Sequence, residues 1–67
     1  MYCIAIIEKS SGIEVVPIYE DKIFTEPKLA VRYIDEDYYL SYVWGMSHFD
    51  DEYDYGIKIK ELEVVSE

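Results

Sequence analysis

The chain has a single cysteine, Cys3, which excludes an intramolecular disulfide framework and a cysteine-rich zinc site and suits a reducing compartment, the cytoplasm by default. It lacks any run approaching the roughly 20 apolar residues that span a bilayer, and Met1-Tyr2-Cys3-Ile4-Ala5 has no basic residue ahead of its short apolar run, so neither a membrane span nor a secretory leader is expected. The three glycines, at 12, 45 and 56, cannot supply the spacing of a phosphate-cradling loop. Basic residues are also few, six Lys and Arg against 15 Asp and Glu, for a net charge of −9. Nucleic acids and anionic lipids recruit proteins through Lys and Arg clusters, so direct binding to DNA, RNA or membranes is not expected.

What the chain does have is charge placed on one side. Between Tyr33 and Ile57 lie Asp35, Glu36, Asp37, Asp50, Asp51, Glu52 and Asp54 and no Lys or Arg, so this stretch carries −7 while the rest of the chain, eight acids against six bases, comes to −2. Interleaved with the acids are Tyr33, Tyr38, Tyr39, Tyr42, Trp44, Phe49, Tyr53 and Tyr55. Like charges crowded together oppose compaction and produce a field that steers a positively charged partner. The bland reading is a solvated acidic face that keeps the protein soluble.

The 67 residues are about half apolar, enough for one folded domain with a small core spanning the whole chain. Residues 2 to 8 are apolar on both alternating faces, as in an inner strand. Lys9-Ser10-Ser11-Gly12 supplies a turn, and Ile13 to Tyr19 a second strand, which Pro17 confines to a sheet edge or terminates. Thr25 or Glu26 is placed to cap a helix with Pro27 in its first turn and Phe24 stapled back onto it. Leu29, Tyr33, Leu40 and Val43 favour one continuous helix to about Trp44, with a separate strand over the aromatic-rich Tyr38 to Trp44 as the alternative, and Gly45 opens a loop through the acidic Asp50 to Asp54. Tyr55 to Val64 closes the chain as a strand, with a bulge expected near Lys60 or Glu61 where the apolar parity changes.

The expected fold class is therefore α+β, a β-β-α-β domain with one helix packed across a three-stranded sheet, the first and last strands as the central pair. The expected core is Ile4, Ile6, Val15, Ile18, Leu29, Tyr33, Leu40, Val43, Ile57, Ile59 and Leu62. The other sheet face, expected to carry Tyr and Cys side chains without a second helix, is a candidate surface for a homodimer.

Catalytic chemistry finds little to build on. The one histidine, His48, lies in Gly-Met-Ser-His with no nucleophile signature around it, and a solvated loop position is expected. The carboxylates fall in surface-like runs that give no reason for the burial that acid–base pairs need. Asp50, Glu52, Asp54 and Glu61 match positions 1, 3, 5 and 12 of a calcium loop, but Tyr55 stands where the turn glycine belongs and Lys58 at a ligand position. No cofactor, no metal site and no enzyme activity are expected.

Acid interleaved with tyrosine is instead a protein-binding composition, since Tyr and Trp carry much of the energy of interfaces. The layout, an apolar first strand (Tyr2 to Glu8), an edge strand (Ile13 to Tyr19), a helix opened by Phe24-Thr25-Glu26-Pro27 and a closing strand from Tyr55-Gly56-Ile57, resembles small, acidic, phage-encoded inhibitors of host defence, the anti-CRISPR and anti-restriction proteins. The resemblance implies a non-enzymatic nucleic-acid mimic that docks on the basic site of a host effector, a CRISPR nuclease foremost, in the host cytoplasm. Asp35, Glu36 and Asp37 would form one edge of the mimic and Asp50, Asp51, Glu52 and Asp54 the other, with Tyr38, Tyr53 and Tyr55 as packing anchors. The alternative is a homo-oligomeric accessory module that associates through the open sheet face or a strand edge.

Overall fold

The computed structural model describes residues 1–63. Its elements are strands β1 (Tyr2–Glu8) and β2 (Glu14–Val16), a single 3₁₀ turn (Tyr19–Asp21), helices α1 (Pro27–Glu36) and α2 (Tyr38–Phe49), and strand β3 (Tyr55–Glu61). The class is α+β, a three-stranded antiparallel sheet ordered β2-β1-β3 under two helices. The single long helix expected from the apolar spacing is thus corrected to two.

Asp37 makes the break. Its backbone is extended, its N–H closes α1 on the Tyr33 carbonyl at 2.9 Å, and its Oδ1 accepts the Leu40 N–H at 3.0 Å as the N-cap of α2. A carboxylate cap satisfies an orphan N–H and meets the positive end of the helix dipole. Asp37→Ala is expected to cost about 1 kcal/mol, lowering the melting temperature by about 4–8 °C, and calorimetry checks it. α2 then runs through Gly45, contrary to the expected loop, and carries His48 in its last turn.

β1 lies between the other two strands because it alone is apolar on both faces; Cys3, Ile4, Ala5 and Ile6 are all buried. It is therefore the central strand by itself, with β3 on the second edge. Ile4 and Ile6, paired with Ile59 and Ile57, face both helices and meet Ala30, Ile34 and Leu40. The α1 stripe that goes deepest is Ala30 and Ile34, with Leu29 and Tyr33 half-buried beside it. On β2 the pairing jumps from Ile6–Val16 to Ile7–Glu14, so Val15 is the extra residue of a bulge and is 45 % exposed rather than in the core. β3 pairs in unbroken register from Tyr55 to Glu61, which removes the bulge expected near Lys60; Val64, assigned to this strand from the sequence, lies outside the described residues.

Pro17 ends β2, and the chain then reverses through Glu20 and Asp21, both left-handed at φ 53° and 55°. It returns along β1, where Phe24 and Tyr2 exchange both backbone hydrogen bonds at 2.7 Å. Glu26 occupies the cap position of α1 and Pro27 its first position, as the sequence indicates, although no side chain caps the N–H groups there.

The sheet face away from the helices is not the Tyr-bearing surface expected, because alternation turns Tyr2 toward the helices and leaves Cys3, Ala5, Ile7, Lys58 and Lys60 on this side. Lys60 Nζ reaches from β3 to the Glu14 carboxylate on β2 at 2.8 Å, crossing over β1. This charged strap lies on the face that holds Cys3 and Ala5, both fully buried, with Lys60 the cross-strand partner of Cys3 and Lys58 that of Ala5. The ion pair holds Glu14 below the ordinary carboxylate range and Lys60 above the ordinary amine range, in both cases first through their mutual hydrogen bond.

Candidate functional site

The fold puts the seven acids at the two ends of α2. Asp35 and Glu36 finish α1 and Asp37 begins α2, whereas Asp50, Asp51, Glu52 and Asp54 fill the connection to β3. Twelve residues at 1.5 Å each separate the groups by about 18 Å. They flank one helix but do not form one cluster.

Most of this charge is uncompensated. Among the described residues the ion pairs are Lys28–Glu26, Arg32–Glu36 and Lys60–Glu14, so only Glu36 of the seven has a basic partner, at 3.6 Å on an exposed helix face. Two of the other six have local work: Asp37 caps α2, and Asp50 Oδ1 accepts the Glu52 N–H at 3.0 Å, fixing the turn that leaves the helix. Asp35, Asp51, Glu52 and Asp54 stand exposed. No group of three or more His, Cys, Asp or Glu side chains converges as a metal site among the described residues.

Between the two acidic ends, α2 has the sequence Tyr-Tyr-Leu-Ser-Tyr-Val-Trp-Gly-Met-Ser-His-Phe, without an acid, a Lys or an Arg. Leu40 and Val43 are fully buried on its inner side. At 3.6 residues per turn, Tyr38, Tyr42, Gly45 and Phe49 line up on the opposite side. A helix apolar on nearly all faces is ordinarily enclosed. Here Tyr38 and Phe49, at the ends of the outer stripe, are 90 % and 91 % exposed.

The tyrosines singled out from the sequence occupy different settings. Tyr38 is free in solvent beside the acids. Tyr53 is half-buried, edge-on to Tyr42 at 6.4 Å and to Tyr55 at 6.0 Å, and burial pushes its hydroxyl above the ordinary phenol range. The three rings form a ladder from α2 to β3, so Tyr53 is a support for the surface rather than a free anchor. Tyr39 is also occupied in part, stacked on Tyr19 at 6.2 Å. Sequence reasoning did not single out Phe49 or Tyr42 as contact residues, although the spacing 38, 42, 45, 49 was visible once a helix through Gly45 was admitted.

Other polar groups are committed to the fold. His48 Nδ1 lies 2.8 Å from the Trp44 carbonyl, to which its N–H donates, and its ring packs on Trp44 at 4.7 Å, so it is an exposed helix-end residue rather than a loop histidine. Lys9 Nζ donates to the Ser47 carbonyl at 2.9 Å, a cation at the negative end of α2. Tyr33 donates its hydroxyl to Glu20 at 2.6 Å, and that hydrogen bond, followed by desolvation and the Glu20 charge, pushes its pKa up to about 12 from the ordinary 10.0. Because the fold favours the protonated phenol, this contribution to stability is complete below about pH 10 and disappears as the pH rises through about 12. Tyr33 is expected to ionise above the ordinary phenol range in an ultraviolet tyrosinate titration, and Glu20→Gln is expected to lower its midpoint.

No helix among the described residues is long and apolar enough to cross a membrane. No family model, curated protein or solved structure matches the chain.

Proposed function

We propose that this protein is a non-enzymatic inhibitor that occupies the basic nucleic-acid site of a host defence effector in the manner of anti-CRISPR proteins, with a CRISPR nuclease the foremost target and the host cytoplasm its place of action. The observation that carries the reading is the uncompensated charge: of seven carboxylates around α2, one has a Lys or Arg partner among the described residues. Carboxylates left without internal partners are free to take Lys and Arg from another molecule in charge-assisted hydrogen bonds.

The spacing refines what is mimicked. Duplex DNA carries one charge per about 1.7 Å of axis, about ten over the length of α2, in an even ladder. Here the charge is split by a neutral aromatic helix. Sites for single-stranded nucleic acid combine a basic groove that follows the backbone with aromatic platforms on which bases stack. Carboxylates at each end in place of phosphates, with Tyr and Phe rings between them in place of bases, match that second pattern.

The homo-oligomeric alternative has less in its favour. The open sheet face carries Lys58 and the Glu14–Lys60 strap instead of an apolar patch, and a second copy brings a second −9.

The test uses the protein as bait for a purified candidate nuclease, with and without its guide RNA or DNA. Capture is expected to weaken steeply with ionic strength and to be competed by nucleic acid. Affinity that holds constant from low to high salt, or a complex that forms on the nucleic-acid-loaded nuclease, would overturn the mimic.

A further inference from the structure

The outer stripe of α2 poses a question that charge alone does not answer, because its centre is uncharged. Tyr38, Tyr42 and Phe49 present rings to solvent, and Gly45 sits among them with nothing beyond its chain neighbours and the local helix backbone within 4 Å of where a Cβ would be. A glycine inside a helix costs about as much as any residue other than proline. Its φ is not positive, so the backbone does not require it. What glycine does at this position is leave bare backbone between the Tyr42 and Phe49 rings, a shallow gap in an aromatic ridge.

Charge complementarity selects the occupant. With Asp35 at one end and Asp51 and Glu52 at the other, the stripe repels a second copy, an anionic lipid surface and nucleic acid, and attracts a cation. The two cationic side chains differ in what they do on such a surface. Lysine is a compact, strongly hydrated point charge, whereas the arginine guanidinium is planar, weakly hydrated, stacks on aromatic faces and grips a carboxylate through two N–H groups at once.

Building on the reading of this surface as the contact face, we propose that the outer stripe of α2 docks an arginine-bearing segment of the protein partner, laid along the helix with guanidinium groups on the Tyr42 and Phe49 rings at the Gly45 gap and its flanking arginines on the terminal carboxylates. Arginine, rather than positive charge in general, is what the surface selects.

Titration calorimetry of the full chain with two peptides of equal length and charge, one arginine-rich and one lysine-rich, tests this. The arginine peptide is expected to bind about tenfold more tightly, the size of two exposed cation–π contacts, and to shift the amide NMR signals of α2. A double variant, Tyr42→Ala with Phe49→Ala, removes both ring platforms, each exposed, and is expected to erase the preference while leaving lysine-peptide affinity in place. Gly45→Ala is expected to raise the melting temperature by about 4–8 °C and yet weaken arginine-peptide binding, a split that a purely structural glycine would not show. Equal affinities, a preference that survives the double variant, or sedimentation showing that α2 is covered by a second copy would each overturn the proposal. Failure of nucleic-acid competition in the nuclease assay would remove the mimic and leave this preference standing, while equal peptide affinities would do the reverse.

Discussion

Replacing Asp51, Glu52 and Asp54 together with lysine is expected to abolish capture of the effector while leaving the fold intact. The three side chains are exposed, and none has an ion-pair partner among the described residues, so their reversal leaves no buried charge behind. Asp50 is spared because it orders the turn after α2. Like charges set against each other across an interface cost several kcal/mol, which corresponds to a loss of about a hundredfold to a thousandfold in affinity. The net charge moves from −9 to −3, and that alone would slow association, so a second triple variant is needed. Glu26, Glu61 and Glu63, also exposed but outside the acidic segment, changed to lysine give the same net charge. Capture is expected to survive this second change largely intact. Equal losses in the two variants would mean that overall charge, and not the surface around α2, draws the partner.

The second large effect is on stability. Leu40→Ala is expected to remove about 2–5 kcal/mol, because Leu40 is fully buried where α2 meets the Ile4, Ile6, Ala30 and Ile34 cluster and a cavity there cannot collapse without moving two helices. A domain of 67 residues holds about 3–10 kcal/mol in all. The variant is therefore expected to be largely unfolded near physiological temperature, measured as loss of far-ultraviolet circular dichroism and of the melting transition. Tyr38→Ala, two residues away and in solvent, is expected to stay within about 0.5 kcal/mol of the parent. A similar cost for the two would mean that α2 does not pack through Leu40.

Much of the architecture was legible because single residues leave few options. Pro17 cannot donate to a ladder, and β2 ends before it; an unbroken apolar run at 2 to 7 favours cover on both faces, and β1 is central. The errors came where one residue type has two uses. Asp37, in the run Asp-Glu-Asp, looked like more surface charge, while its side chain in fact caps a helix. Gly45 looked like a helix end, though here the absent side chain leaves a gap in a face. On α1 the pairs Leu29–Tyr33 and Ala30–Ile34 fit helical spacing equally well, and the smaller pair went inward because Ala30 lets the backbone approach the sheet. The acidic residues themselves needed no structure to find. Their separation did, because the distance between two charged runs depends on whether helix or loop joins them.

The order β2-β1-β3 also governs how the protein is made. The strand at the centre of the sheet leaves the ribosome before the two strands that flank it, and one of its two edges pairs with residues 55–61, about fifty positions later. Until those residues emerge, a nascent chain has an apolar strand with one bare side, the kind of template on which other chains add. A chain truncated within the acidic connection is therefore expected to keep β1 with one unpaired edge and to aggregate.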